Sequence, residues 1–229
     1  MRSIQQQCTD CGRTGELTRD HIPPKNLFPK PRPSNLITVP CCETCNASFS
    51  RDDEHFRTIV ACTEETAQHP EAQKLWEQRI LSQLHRTGGS APHELIKQSF
   101  GSDATNVTEF QIHEAEVRIA GVLVRIVKGL HFFEMGVSLP ISCEVRFSLD
   151  TNLVDVGGPA GAISVFDAAR GSRGRDIGDG VFSYRMAEWL GKPGGTIWLL
   201  VFFKSLAFLC STAQETGNAP DKTIIAVMP

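Results

Sequence analysis

Two short cysteine pairs near the N-terminus constrain this chain more than any other feature. Cys8 and Cys11 form one CxxC and Cys42 and Cys45 another, with 30 residues between the pairs. A CxxC turn sets both sulfurs on one side of a knuckle, so two such turns can deliver four thiolates to one tetrahedral Zn²⁺. Four thiolates leave no open coordination position. The ion is then structural, and its binding free energy folds a segment too small to build much core. Cys41 competes with Cys42 for that ion, the two-residue spacing favouring Cys42. Five of the eight cysteines lie within the first 45 residues, which suits metal ligation in a reducing compartment better than a disulfide framework. The start MRSIQQQCTD lacks an apolar leader and no apolar run approaches the ~20 residues of a bilayer span, so the expected location is the cytoplasm.

Around the cysteines, short apolar pieces at 17–22 and 36–39 predict two strands. The linking stretch PPKNLFPKPRPSN carries five prolines, which forbid a regular helix or central strand and leave a stiff loop displaying Lys25, Lys30 and Arg32. Phe56, Ile59, Val60 and Thr63 then recur at helical spacing, with Ser50 and Asp53 resembling a capping box and a possible earlier start at Asn46. Residues 70–86 predict a further helix, and residues 88–108 hold a short apolar island in linker-like sequence. From Ala115, a stripe of Ile119, Val122, Leu123, Ile126, Val127 and Leu130 predicts a long amphipathic helix, with Arg118, Arg125 and Lys128 off the stripe. Beyond Pro140, the segments 143–149, 181–186 and 196–210 read as strands separated by glycine-rich stretches. The expected architecture is α+β: a zinc-stapled domain at 1–66, a helical connector at 67–100, and at 101–229 a long helix packed on an antiparallel sheet.

Between the cysteine pairs lies Asp20-His21-Ile22-Pro23-Pro24. A carboxylate beside an imidazole suits phosphodiester hydrolysis, because the carboxylate holds a hard cation while the imidazole takes a proton from water. Neighbouring strand residues face opposite ways, so bringing both to one site asks for a distortion at the strand end, which the prolines can impose. The ordered set Cys8/Cys11, Asp20-His21 with Pro24, Asn35-Leu36, and Cys42/Cys45 with Asn46 resembles the HNH endonucleases of the ββα-metal (His-Me finger) group in their four-cysteine zinc variant. The resemblance covers residues 8–57, about a quarter of the chain.

The resemblance implies that His21 is the general base, that Asp20 and Asn46 hold one Mg²⁺ or Mn²⁺, and that Asn35 braces the loop and orients His21. It further implies products bearing a 5′-phosphate and a 3′-hydroxyl. Two departures stand out: Asn35 and Asn46 are 11 positions apart, and the helix begins with the acidic Asp52-Asp53-Glu54 where a basic residue is expected near phosphates. His55 is an alternative metal ligand, although nine positions from Asn46 turns it to another side of the helix.

Charge gives the expected partner little help. The net charge is -3, and residues 1–60 hold eight Lys/Arg against seven Asp/Glu, so any basic surface is local. Lys25, Lys30, Arg32, Arg51 and Arg57 are candidate phosphate contacts, and residues 169–179, ARGSRGRDIGD, read as a glycine-rich loop carrying three arginines. The expected partner is nucleic acid, double-stranded DNA ahead of RNA, with self-association through the C-terminal domain as a further expectation. A non-catalytic zinc-stapled module that binds nucleic acid or protein is the alternative, and a role in defence against foreign DNA is a further reading.

Overall fold

The computed structural model describes residues 7–82, 114–149, 157–169, 171–189 and 194–213. The N-terminal part is a hairpin of β1 (Leu17–Ile22) and β2 (Ile37–Cys42), antiparallel and in unbroken register from Leu17 opposite Cys42 to Ile22 opposite Ile37. The proline-rich connection carries a single 3-10 turn (Lys25–Leu27) and is clamped at Lys30, whose N–H donates to Gln78 Oε1 at 2.9 Å while Gln78 Nε2 donates to the Lys30 carbonyl at 3.1 Å. Lys25, Lys30 and Arg32 are exposed on it, as expected.

Helix α1 (Glu43–Ser48) starts directly after Cys42, so the second CxxC is itself the junction from strand to helix. After Phe49, α2 (Ser50–Cys62) buries Phe56, Ile59 and Val60. The capping box does not form: α2 has no side-chain cap, and the Asp53 carboxylate is engaged elsewhere. Two short helices, α3 (Glu64–Ala67) and α4 (Pro70–Leu75), follow, and α4 runs on into a π-helical turn at Trp76–Ile80. The expected helix at 70–86 is therefore present through residue 82, and its last residues, like the apolar island at 88–108, lie outside the described residues.

The long helix predicted from Ala115 is α5 (Glu114–Met135). It packs against β1, β2 and α2 on one side and reaches the second sheet on the other. That sheet is antiparallel and has the order β3-β7-β6-β5-β4, built from β3 (Glu144–Leu149), β4 (Arg173–Ile177), β5 (Phe182–Glu188), β6 (Thr196–Phe202) and β7 (Leu206–Ala213). β6 lies at the centre and is apolar from Ile197 to Phe202 because both its faces are covered. Trp198, Leu200 and Phe202 join the main core, whereas Leu199 and Val201 lie beneath α6 (Gly158–Ala168) with Ala162, Ile163 and Phe166. The main core also takes in Ile22, Phe28, Val39 and Phe56, so apolar side chains from before and after residue 100 form one cluster.

Three segments differ from expectation. Residues 196–210, read as one strand, form β6 and β7 with a turn at residues 203–205 between them. Residues 158–168, read as part of a glycine-rich separator, form α6, with Pro159 in the first turn where a missing N–H costs nothing. Within the arginine-rich stretch, residues 173–177 form edge strand β4 rather than a loop. Arg173 Nη1 donates to the Glu134 carbonyl at 2.5 Å and the Arg175 guanidinium lies 4.5 Å from the Phe133 ring centroid. Both arginines fasten the sheet edge to α5; Arg170 lies outside the described residues. Among the described residues no helix is long and apolar enough to cross a membrane.

Candidate metal centre and active site

Strand alternation decides which cysteine points where. In β2, Ile37, Val39 and Cys41 are buried while Thr38, Pro40 and Cys42 are only half-buried. Cys42 therefore turns toward the knuckle formed by Cys8 and Cys11, and Cys45 joins it from the first turn of α1. The four sulfurs of Cys8, Cys11, Cys42 and Cys45 all lie within 4.8 Å of one another. Tetrahedral zinc with Zn–S bonds of about 2.3 Å spaces its sulfurs by about 3.8 Å, and Cys11 and Cys42 are already 3.8 Å apart. Burial opposes ionisation of Cys8, but the backbone N–H groups of Cys11, Cys42 and Asp10 bring its thiol down to about 7. The donor set fits one metal ion, and four thiol ligands make zinc the natural occupant. Cys41 stays outside this cluster, packed in the interior with its Sγ 3.9 Å from that of Cys8.

The knuckle ties the start of α1 to β1. Asn46, one residue past Cys45, donates from Nδ2 to Thr18 Oγ1 at 2.9 Å, and Thr18 in turn donates to the Cys41 carbonyl at 2.9 Å. Thr18 and Asp20 are two apart on β1 and share a face, so Asn46 meets the strand about 7 Å along the chain from Asp20. Its Oδ1 is left outside that bond.

Asp20 is buried at 7% exposure, facing α5. Burial raises its pKa, Arg125 works in the other direction, and the backbone N–H of His21 also favours the carboxylate. Arg125, at 4% exposure, stands between two acids. Its Nε lies 3.5 Å from Asp20 Oδ2, its Nη2 pairs with Asp53 Oδ1, and its guanidinium carbon lies 4.1 Å from the Phe49 ring centroid. Asp53 is pushed up to about 6 by burial, offset in part by Arg125 and reinforced by Asp20.

His21 lies on the opposite face of β1, half-buried, across from Thr38. Burial holds its pKa below the usual value, and Lys25 and Arg32 add to this against the pull of Asp20. The imidazole is therefore neutral near pH 7. The pairing of β1 runs regularly through Ile22, and the irregularity expected at the strand end falls just beyond it, where the Ile22–Pro23 peptide bond is cis. Asn35 is exposed in the turn before β2, and among the described residues its side chain makes no hydrogen bond. The described arrangement thus brings Asn46 to the Thr18–Asp20 face, sets His21 beside Lys25 and Arg32, and leaves Asn35 apart. His55 is buried in α2, with Arg118 and Asp52 as its charged neighbours; it is not at Asp20.

The acidic start of α2 finds its reason in α5. Asp53 meets Arg125, Asp52 lies 3.7 Å from Arg118, and Lys128 lies 3.7 Å from Asp10 in the first knuckle. Neither Arg125 nor Asp53 was singled out for the site from sequence. The available signal was an arginine beside Val122, Ile126 and Gly129 on a core-facing helix side, where an unpaired charge is costly. A separate pocket of about 430 Å³ is lined by Ala61, Cys62, Ala72 and Trp76 among others and shares no lining residue with this site. Compared with protein-family models, with curated proteins and with solved structures, the chain matches none.

Proposed function

We propose that this protein is an HNH-type endonuclease that uses a divalent metal ion to hydrolyse phosphodiester bonds, with double-stranded DNA as its first substrate. The observation that carries the reading is the junction at the cysteine cluster: it fastens α1 to the hairpin so that Asn46 bonds Thr18, two residues before Asp20 and on the same strand face. An oxygen-bearing amide and a buried carboxylate set along one strand face in this way are suitable hard ligands for Mg²⁺ or Mn²⁺. Asp20 uses Oδ2 toward Arg125, and Asn46 uses Nδ2 toward Thr18, so both side chains keep an oxygen for the ion.

When bound, that ion offsets the charge developing on the phosphate and the leaving 3′ oxygen. His21, held neutral by burial and by Lys25 and Arg32, accepts the proton of the attacking water. Because Asp20 and His21 alternate on a regular strand, the scissile phosphate belongs at the free edge of β1, where side chains from both faces can meet it. Lys25 and Arg32, on the loop beside His21, are positioned to hold flanking phosphates.

The test is plasmid cleavage by the zinc-loaded chain over Mg²⁺, Mn²⁺ and chelator, wild type beside His21→Ala. Metal-dependent nicking is expected, with a loss of about 10²–10⁴-fold on removing the base and an unchanged melting temperature. A second reading draws on the ion pair between Asp20 and Arg125, which satisfies the acid within the protein. It is a non-catalytic zinc-stapled module, and DNA or protein binding without cleavage under any metal would favour it.

A further inference from the structure

Helix α5 meets β1 at two points that match in spacing. Gly129 lies against Ile22: a Cβ there would come within 2.5 Å of Ile22 Cγ1. One turn earlier on the same helix face, Arg125 lies against Asp20, two residues before Ile22. Four helical residues advance about 6 Å and two strand residues about 6.7 Å, so seating Ile22 on Gly129 fixes Arg125 opposite Asp20. On its other side, Arg125 is held by Asp53 from α2 and stacked on Phe49.

This arrangement satisfies the guanidinium only in part. Among the described residues Arg125 Nε and Nη1 make no hydrogen bond, and the 3.5 Å to Asp20 is an ion pair rather than a clamped hydrogen bond. Asp20 is therefore oriented by Arg125 yet keeps lone pairs for another cation. Two carboxylates against one guanidinium also leave the cluster one negative charge in excess.

We propose that Arg125 and Asp53 are positioning residues for the divalent cation: Asp53 anchors Arg125, and Arg125 holds Asp20 by one oxygen so that the other faces the ion. This rests on the nuclease reading above and adds that the C-terminal part of the chain completes the site. Groups that orient a metal ligand from behind matter about 10–100-fold in metal affinity or activity.

The experiment measures Mn²⁺ affinity by calorimetry on the full, zinc-loaded chain for wild type, Asp53→Asn, Arg125→Gln, Arg125→Lys and Asp52→Asn, with zinc content and melting temperature recorded for each. Positioning predicts that Asp53→Asn and Arg125→Gln both weaken Mn²⁺ by about 10–100-fold, Arg125→Lys falls between, and Asp52→Asn stays near wild type. Cleavage lost in the first two should return as Mn²⁺ is raised. A mere field effect has opposite signs, since removing the guanidinium charge would tighten Mn²⁺; tighter binding by Arg125→Gln overturns the proposal. So does wild-type affinity in folded Asp53→Asn and Arg125→Lys, which also carry the test if Arg125→Gln does not fold. A wild-type chain full of zinc that takes up no Mn²⁺ overturns the nuclease reading together with this inference, whereas Mn²⁺ uptake indifferent to these substitutions overturns the inference alone.

Discussion

Because successive residues of β2 face opposite ways, Cys42 turns to the knuckle and Cys41 into the interior. Sequence spacing left the two in competition; the strand's phase separates them. Cys42→Ser is expected to remove bound zinc and lower the melting temperature of the chain, whereas Cys41→Ala retains one equivalent of zinc and loses about 1–2 kcal/mol of packing. Zinc content and denaturant melts on the two variants check this. His131 gives a second residue-level prediction. Its ring is buried, with Nδ1 3.0 Å from the Val137 carbonyl, and burial holds its pKa below the ordinary 6.5. Below 6.5 the unfolded chain takes up this proton more readily than the folded one, so the stability it contributes is complete above that pH and falls as pH drops toward the folded value. Denaturant midpoints between pH 7.5 and 6 should decline less steeply in His131→Gln, by at most about 1.4 kcal/mol per pH unit. The same scale shows what sequence conceals. Asp20, His21 and Asn46 are legible as a motif, but the partners of Asp20 and Asp53 come from a helix more than 70 residues away, and no local pattern pairs them.

Among the elements, those with a clean period were readable: the stripe of α5, the alternation of β3 and β5, and the apolar run of β6 and β7. That run contains an unannounced turn. Phe203 and Lys204 both adopt positive φ, at 49° and 62°, where Gly or Asn is the usual signature. Phe203 is fully buried and fixed by packing, but Lys204 is exposed. Lys204→Asn should stabilise the protein by about 0.5–1 kcal/mol through relief at that position, read as a higher melting temperature. The segments α6 and β4 escaped because their glycines look like loop punctuation, although Ala162, Ile163 and Phe166 supply enough apolar surface to cover Leu199 and Val201. Helix α5 and β1 give the sharpest element-level test. Gly129→Ala forces a methyl into Ile22 and is expected to cost about 1–3 kcal/mol. Ile22→Ala costs stability on its own, yet the double variant should be more stable than the sum of the two losses implies, a coupling that a double-mutant cycle measures directly.

For the molecule as a whole, the expected division at residue 100 meets a core that runs through both parts. Ile22, Phe28 and Phe56 belong to the same apolar cluster as Leu130, Trp198 and Phe202, and Phe56 packs edge-on against Phe202 with ring centroids 5.3 Å apart. A shared core of this kind couples the unfolding of its parts. Zinc release and loss of near-ultraviolet circular dichroism from the buried Trp198 should therefore follow one denaturation curve; two separated transitions would show independently folding domains. Stripping zinc with a chelator should, for the same reason, lower the melting temperature of the entire chain.

The seating of Ile22 on Gly129 and the reach of α5 to Asp10, Asp20 and Asp53 make residues 8–62 poor cargo for recombination. Grafted into a foreign host, that stretch would leave Asp10, Asp20, Asp52 and Asp53 without their counter-charges and an apolar hairpin face open to water. Descent or design that moves the cysteine-knuckle hairpin has to move its supporting helix as well.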